Sequence, residues 1–362
     1  MFTPEEDSII YDHIYPKIKG DILKSPELNK LYEFFCDIEL LSYDEIDSSF
    51  SEEKFKVDYE LQFASENIKH EIENFHLKYS YTLRFDDIIV SINLFTDNRL
   101  TNSNFLYELK RYIQFILSVH PVKADITINY HLTDQEKKIV KGVIPTRDQV
   151  NSGSCMSFAS SALPSRAGGK SIINIWRKEE LLKVTIHEII HALRHDHYTD
   201  DDTIIRHFKN KYDINVSKLN THEAYTEIWA NLVNCFLISQ KYNTSPKKVF
   251  SKLVSVEKYF SIFQAQKVLF NTSTIKNVNL DKNTNVTAYF LIRAELYQRL
   301  NEFLKFTRTQ NEDYIKIKNT NNWLVFLNSK IKVKRNDIIF KNKKGYLYKN
   351  LRMTILELNL LH

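Results

Sequence analysis

His187-Glu188-Ile189-Ile190-His191 is the stretch of this chain whose residue types and spacing could do chemistry. Residues at i and i+4 share one face of a helix, so both imidazoles can reach a single ion. Glu188 sits about a quarter turn from His187, near enough to bond a water on that ion without being a ligand itself. Such a set suits hydrolysis. The ion polarises a carbonyl and acidifies its water, and the carboxylate takes the proton and passes it to the leaving amine. The spacing points to zinc held by His187 and His191, with Glu188 as general base and a protein or peptide as substrate.

A catalytic zinc commonly takes three protein ligands and keeps one position open. The run Asn220 to Ala230 places Glu223 and Glu227 four residues apart on a second helix. Glu223 is the candidate ligand, and Glu227 the candidate acceptor for the other N–H of a ligand histidine. His197, Glu227 or an aspartate of 200–202 are the alternatives for the third position. Plainer roles exist for the same residues. Asn220 and Glu223 can be a helix N-cap with its N3 acid, and His195 and His197 can decorate a solvated helix end. Tyr198, His207 and Tyr212 are candidates for stabilising an oxyanion, and nothing in the sequence chooses among them.

At these residues the chain resembles the gluzincin branch of the zincin metallopeptidases. In that branch H-E-x-x-H is followed on a later helix by Glu-x-x-x-Asp/Glu, as in the thermolysin and anthrax lethal factor type enzymes. The resemblance covers about residues 104–241 and implies His187, His191 and Glu223 as ligands. The metzincin pattern H-E-x-x-H-x-x-G-x-x-H matches His187 to His197 except that Arg194 replaces the glycine, and its Met-turn has only Met353 as a poor counterpart. The segment from Val150 to Gly153, leading to Ile175-Trp-Arg-Lys-Glu-Glu180, is similar to uncharacterised metallopeptidases of large DNA viruses. That likeness implies a cytoplasmic or virion-associated protein.

Several elements must position these side chains. Apolar Leu182, Val184, Ile186, Ile190 and Leu193 make residues 178–194 a buried helix. Residues 171–177 read as a strand before it, at the distance of a substrate-aligning edge strand. Residues 104–119 read as a backing helix, 124–132 as a strand, 141–170 as loop, and 221–241 as the glutamate helix. Upstream, 1–44 reads as helical, and 54–64 and 77–95 as strands. Downstream, 246–268 and 287–306 read as helices, and 314–318 and 330–340 alternate in the strand manner. The expected class is α+β: a zincin-like core of small mixed sheet, backing helix and active-site helix, then a helical subdomain. It carries an N-terminal α+β extension and a C-terminal extension of helices and a β-hairpin. The expected divisions are 1–100, 101–242 and 243–362.

Composition narrows the remaining classes. The 362 residues are 43% hydrophobic and 26% charged, as in globular proteins. Six glycines make a Gly-rich phosphate loop a poor prospect. Cys36, Cys155 and Cys235 fit neither a disulfide framework nor a cysteine zinc site. No secretory signal or membrane span is visible, so a cytoplasmic location is expected. Charge is uneven: residues 241–362 carry 23 Lys+Arg against 8 Asp+Glu, while residues 1–240 carry 27 against 37. The basic part invites an acidic partner, either nucleic acid or acidic protein. In 330–349 Lys and Arg interleave with Phe340, Tyr346 and Tyr348. That pattern also fits a nucleic-acid-binding or scaffolding protein, and an inactive zincin-like pseudoenzyme is a third alternative.

Overall fold

The computed structural model describes residues 25–54, 61, 63–100, 102–158, 169–275, 278–336, 340 and 345–358. Helix α1 (Pro26–Asp37) and strand β1 (Asp44–Glu52) precede α2 (Glu66–Ile72), the hairpin β2 (Leu77–Phe85) and β3 (Ile88–Thr96), helix α3 (Ser103–Val119) and β4 (Ala124–His131). A single helical turn, α4 (Arg147–Val150), leads to β5 (Gly153–Phe158), and β6 (Lys170–Ile175) then enters α5 (Leu181–Ala192). Helices follow: α6 (Asp202–Tyr212), α7 (Thr221–Ser239) and α8 (Pro246–Asn271). After them come a π-helical segment (Thr287–Ile292) continued by α9 (Arg293–Gln298), then α10 (Leu300–Gln310), α11 (Thr320–Leu327) and α12 (Tyr346–Lys349).

These residues fall into two compact units. One gathers the described residues of Ile38–Glu136 and Asn151–His195; the other gathers those of Met1–Asp37, Lys137–Val150 and Asp196–Leu358. The grouping cuts across the expected divisions at 100 and 242.

The first unit is built on one sheet, in the order β1-β2-β3-β4-β6-β5. Strands β1 to β3 pair antiparallel, β3–β4 and β4–β6 pair parallel, and β5 runs antiparallel to β6. The parallel step from β3 to β4 needs a crossover, which α3 supplies. Class and sheet type follow the α+β expectation. The N-terminal strands, however, form no sheet of their own, because β3 pairs directly with β4. The run 77–95 folds as two strands around a turn at Asp86, whose φ is +42°.

Alternation along the strands sets the two faces. Tyr130 points toward α5, where its hydroxyl meets Thr185 Oγ1 at 3.0 Å. On the opposite face Ser80, Asn93, Asn129 and Asn174 occupy one registered row and bond in series at 2.9, 2.9 and 3.0 Å. A one-residue slip of β3, β4 or β6 would break that row, so it pins the register of β6 and through it that of β5.

Two strand expectations are corrected here. The strand before helix α5, β6, lies between β4 and β5 and is not the edge. Among the described residues the edge on that side is β5, inside the stretch 141–170 that reads as loop. Downstream, 314–318 contributes an isolated bridge between Glu312 and Lys316, and 330–336 has no strand. Residues 337–339 and 341–344 of the expected hairpin, residues 55–60 and 62 of the expected strand 54–64, and residues 1–24 lie outside the described residues.

In the second unit α7 is buried along nearly its whole length and packs on α8. Residues 350–356 have no regular structure yet are buried, with Leu351, Met353, Ile355 and Leu356 in the core. Their backbone groups are satisfied by side chains from the helices. Lys267 Nζ donates to the Asn350 carbonyl at 2.6 Å and Gln264 to that of Arg352 at 2.7 Å. Asn231 and Arg293 donate to that of Met353. Glu257 accepts from the N–H groups of Ile355 and Leu356 at 3.0 and 3.1 Å. The chain's last described stretch is therefore core to the helices on either side of residue 242, where a separate basic region was expected.

Candidate metal centre

Helix α5 begins where β6 ends, and this junction is pinned to the start of β5. The N–H of Trp176 donates to the Ser152 carbonyl at 2.9 Å. Trp176 Nε1 and Arg177 Nε both donate to the Asn151 carbonyl, at 3.2 and 3.1 Å. Helix α5 then runs buried, with Ile186, Ile189 and Ile190 fully covered and His187 and Glu188 each 5% exposed. Burying two such side chains together is costly unless something satisfies them.

His187 Nε2 and His191 Nε2 lie 3.0 Å apart, with the rings at 79° to each other. Glu188 meets the edge strand. Gly153 pairs with Ile175 on the helix side of the sheet. A Cβ at position 153 would stand 2.6 Å from Glu188 Oε1 and 3.0 Å from Val184 Cγ1. The missing side chain at 153 is what lets the Glu188 carboxylate lie against β5.

Helix α5 stops in a left-handed turn at Arg194, whose φ is +56°. The N–H of His195 reaches back to the Ile190 carbonyl at 3.1 Å, a helix ending that glycine usually makes. Arginine makes it at a cost of about 1 kcal/mol. The turn tucks His195 inside, edge-on to His120 at 5.2 Å, so the solvated role expected of His195 is corrected. His197, beyond the turn, is exposed.

Glu223 sits in the first turn of α7. The capping expectation for this turn does not hold, since Asn220 makes no side-chain cap. Asp200 instead takes both the N–H and the hydroxyl of Thr221. Asn220 Nδ2 turns to Asn285 Oδ1 at 2.7 Å. The Glu223 carboxylate accepts from Asn285 Nδ2 on one oxygen and from the Tyr289 hydroxyl on the other, each at 3.0 Å.

Glu227, one turn on, pairs with Arg293 at 3.1 Å, with both side chains essentially inaccessible. Arg293 also donates to Ser261 and to the Met353 carbonyl. Met353 is thus a buried backbone acceptor.

The other sequence candidates have structural partners of their own. The Tyr198 hydroxyl bonds Thr221 and Trp323, and burial pushes its pKa well up. Tyr212 donates to Glu295 at 2.5 Å. His207 packs edge-on against Phe208, and burial lowers its pKa. Asp201 caps α6 through the N–H of Ile204. In the basic stretch, Phe340 packs on Phe263 and Phe270, and Tyr348 on Phe263, so these aromatic rings serve packing.

No family model, curated protein or solved structure matches the chain.

Two imidazoles of a buried helix with their Nε2 atoms facing each other suit a borderline-soft ion that accepts nitrogen and oxygen ligands. The residues present fit zinc. Sequence reading missed Gly153 as a partner of Glu188, and it missed Asn285 and Tyr289. For the last two a signal exists in their i, i+4 spacing, which puts an amide and a phenol on one helix face.

Proposed function

We propose that this chain is a zinc-dependent metallopeptidase in which His187, His191 and Glu223 hold the metal. The observation that carries the reading is the 3.0 Å separation of the two Nε2 atoms on a buried helix. Nitrogens at roughly 2.0–2.1 Å from a tetrahedral zinc would lie about 3.3 Å apart, so the helix already presents one edge of such a site. Glu223 enters as the third ligand from its place in Glu223-x-x-x-Glu227 on a helix downstream of H-E-x-x-H.

Zinc, when bound, supplies Lewis acidity for the scissile carbonyl and for water. The chain's own residues do the rest. Glu188, seated against Gly153, takes a proton from the attacking water and delivers it to the leaving nitrogen. Among the described residues strand β5 is the last on its side of the sheet and offers an edge along which an extended peptide can add. Glu227, held by Arg293, is the proposed acceptor behind a ligand histidine.

No helix among the described residues is long and apolar enough to cross a membrane. The excess of Lys and Arg over residues 241–362 supports an acidic macromolecule as a second partner. That binding would weaken as salt screens exposed charge.

The test is hydrolysis of an unfolded protein substrate by the purified full chain. Activity should vanish with a chelator, return with zinc, and be absent from a zinc-loaded Glu188→Gln variant. Full activity in that variant would remove Glu188 from the role of base.

A further inference from the structure

A carboxylate in the first turn of a helix ordinarily samples several rotamers in water, and each must be given up before it can bind a metal. Glu223 is different. Asn285 Nδ2 donates to Oε1 and the Tyr289 hydroxyl to Oε2, both at 3.0 Å. A third side chain backs the first, since Asn220 Nδ2 donates to Asn285 Oδ1 at 2.7 Å and leaves the Asn285 amide one way to face. His222 Nε2 also lies 3.7 Å from Oε1, and a carboxylate has about four lone-pair sites, so accepting hydrogen bonds does not of itself prevent it from holding a cation.

The π-helical segment explains how the two donors come together. Asn285 and Tyr289 are four apart, and Arg293 follows four further on. In an uninterrupted α-helix each four-residue step drifts by about 40° around the axis. The wider turn over Thr287–Ile292 rotates less per residue and takes back that drift. Asn285, Tyr289 and Arg293 therefore keep to one side, facing α7. The first two meet Glu223, and the third meets Glu227 one turn later.

We propose that Asn285 and Tyr289 are positioning residues that clamp the Glu223 carboxylate in one orientation for a divalent cation. The proposal rests on the reading of Glu223 as a metal ligand. The clamp fixes the rotamer before the cation arrives, so its effect is on affinity for the metal itself, whatever the substrate.

The experiment is a chelator competition with zinc alone on the full chain, using wild type, Tyr289→Phe and Asn285→Ala, beside thermal melts of the metal-free proteins. Tyr289→Phe keeps the buried ring and removes only the hydroxyl. Asn285 is half-buried, so its truncation serves if the first variant folds poorly. Each variant should bind zinc about 10–100-fold more weakly than wild type. Metal-free melting should stay unchanged, and the visible spectrum of the cobalt-loaded form should shift. Wild-type zinc affinity in both variants would overturn the clamp, as would a loss of affinity matched by a loss of metal-free stability. A wild type that binds no zinc would overturn the metal reading itself, a result distinct from either.

Discussion

His187 Nε2 and His191 Nε2 face each other at 3.0 Å across one turn of a buried helix. Both side chains use the same ring nitrogen, and neither needs to change helical position to share an ion. His191→Ala removes one of these nitrogens. It should weaken zinc binding by more than the roughly 10–100-fold that loss of a ligand's hydrogen-bond partner costs. Chelator competition would check this, and near wild-type affinity would remove His191 from the set.

The third ligand is separable by substitution. On the proposed reading Glu223→Gln trades an anionic ligand for a weak neutral one, so most zinc affinity and nearly all hydrolysis should go. His197→Ala should leave the metal in place, because His197 is exposed beyond the helix-ending turn. Zinc content of the two variants gives the ranking. The reverse order would restore the metzincin reading.

Glu227→Gln should show its effect in stability as well as in zinc. Arg293 is fully buried, and its partner at 3.1 Å would become neutral. Breaking a buried pair on one side costs about 3–5 kcal/mol. A denaturation midpoint equal to wild type would show that the pair contributes little.

Gly153→Ala tests the seat of Glu188, the proposed general base. The new methyl would contact Glu188 Oε1 and Val184 Cγ1, and the flexible carboxylate is the cheaper group to move. Displacement on the order of 1 Å can cost about 100-fold in rate. Hydrolysis should fall by about that factor, with zinc content and melting close to wild type. An active Gly153→Ala variant would separate the edge strand from Glu188.

Stability should carry a pH signature from Glu257. Burial raises its pKa from 4.5 to about 7 against the hydrogen bonds it accepts from Thr354, Ile355 and Leu356. Between pH 4.5 and 7 the folded chain keeps a proton that the unfolded chain has released. This group's contribution therefore falls as pH rises through that window and levels off above it. Glu257→Gln keeps an acceptor and removes the titration. The difference in unfolding free energy between wild type and Glu257→Gln should move in the variant's favour from pH 4.5 to 7. A difference independent of pH would contradict the raised pKa.

Local pattern carried the parts of the fold that repeat. The apolar positions of α5 and α7 and the alternation in β2, β3 and β4 announce themselves because burial imposes one period on many residues. Strand β5 did not, since Gly153-Ser-Cys-Met-Ser-Phe158 is short and lacks a regular apolar–polar alternation, and its register comes from β6. Residues 330–336 alternate without forming a strand, because residues near them are drawn into side-chain packing against α8. The two histidines of the candidate site were legible as a pair because a single helix holds both. The partners of Glu223 and Glu227 were not, because they lie 62 to 66 residues away in sequence.

The most direct measurement is the zinc content of the purified full chain, by elemental analysis after exposure to excess zinc and removal of loose metal. About one zinc per wild-type chain is expected, retained in Glu188→Gln and lost in a His187→Ala, His191→Ala double variant. A folded wild-type chain that retains no zinc, or a double variant that retains as much as wild type, would contradict the assignment of His187 and His191 as metal ligands.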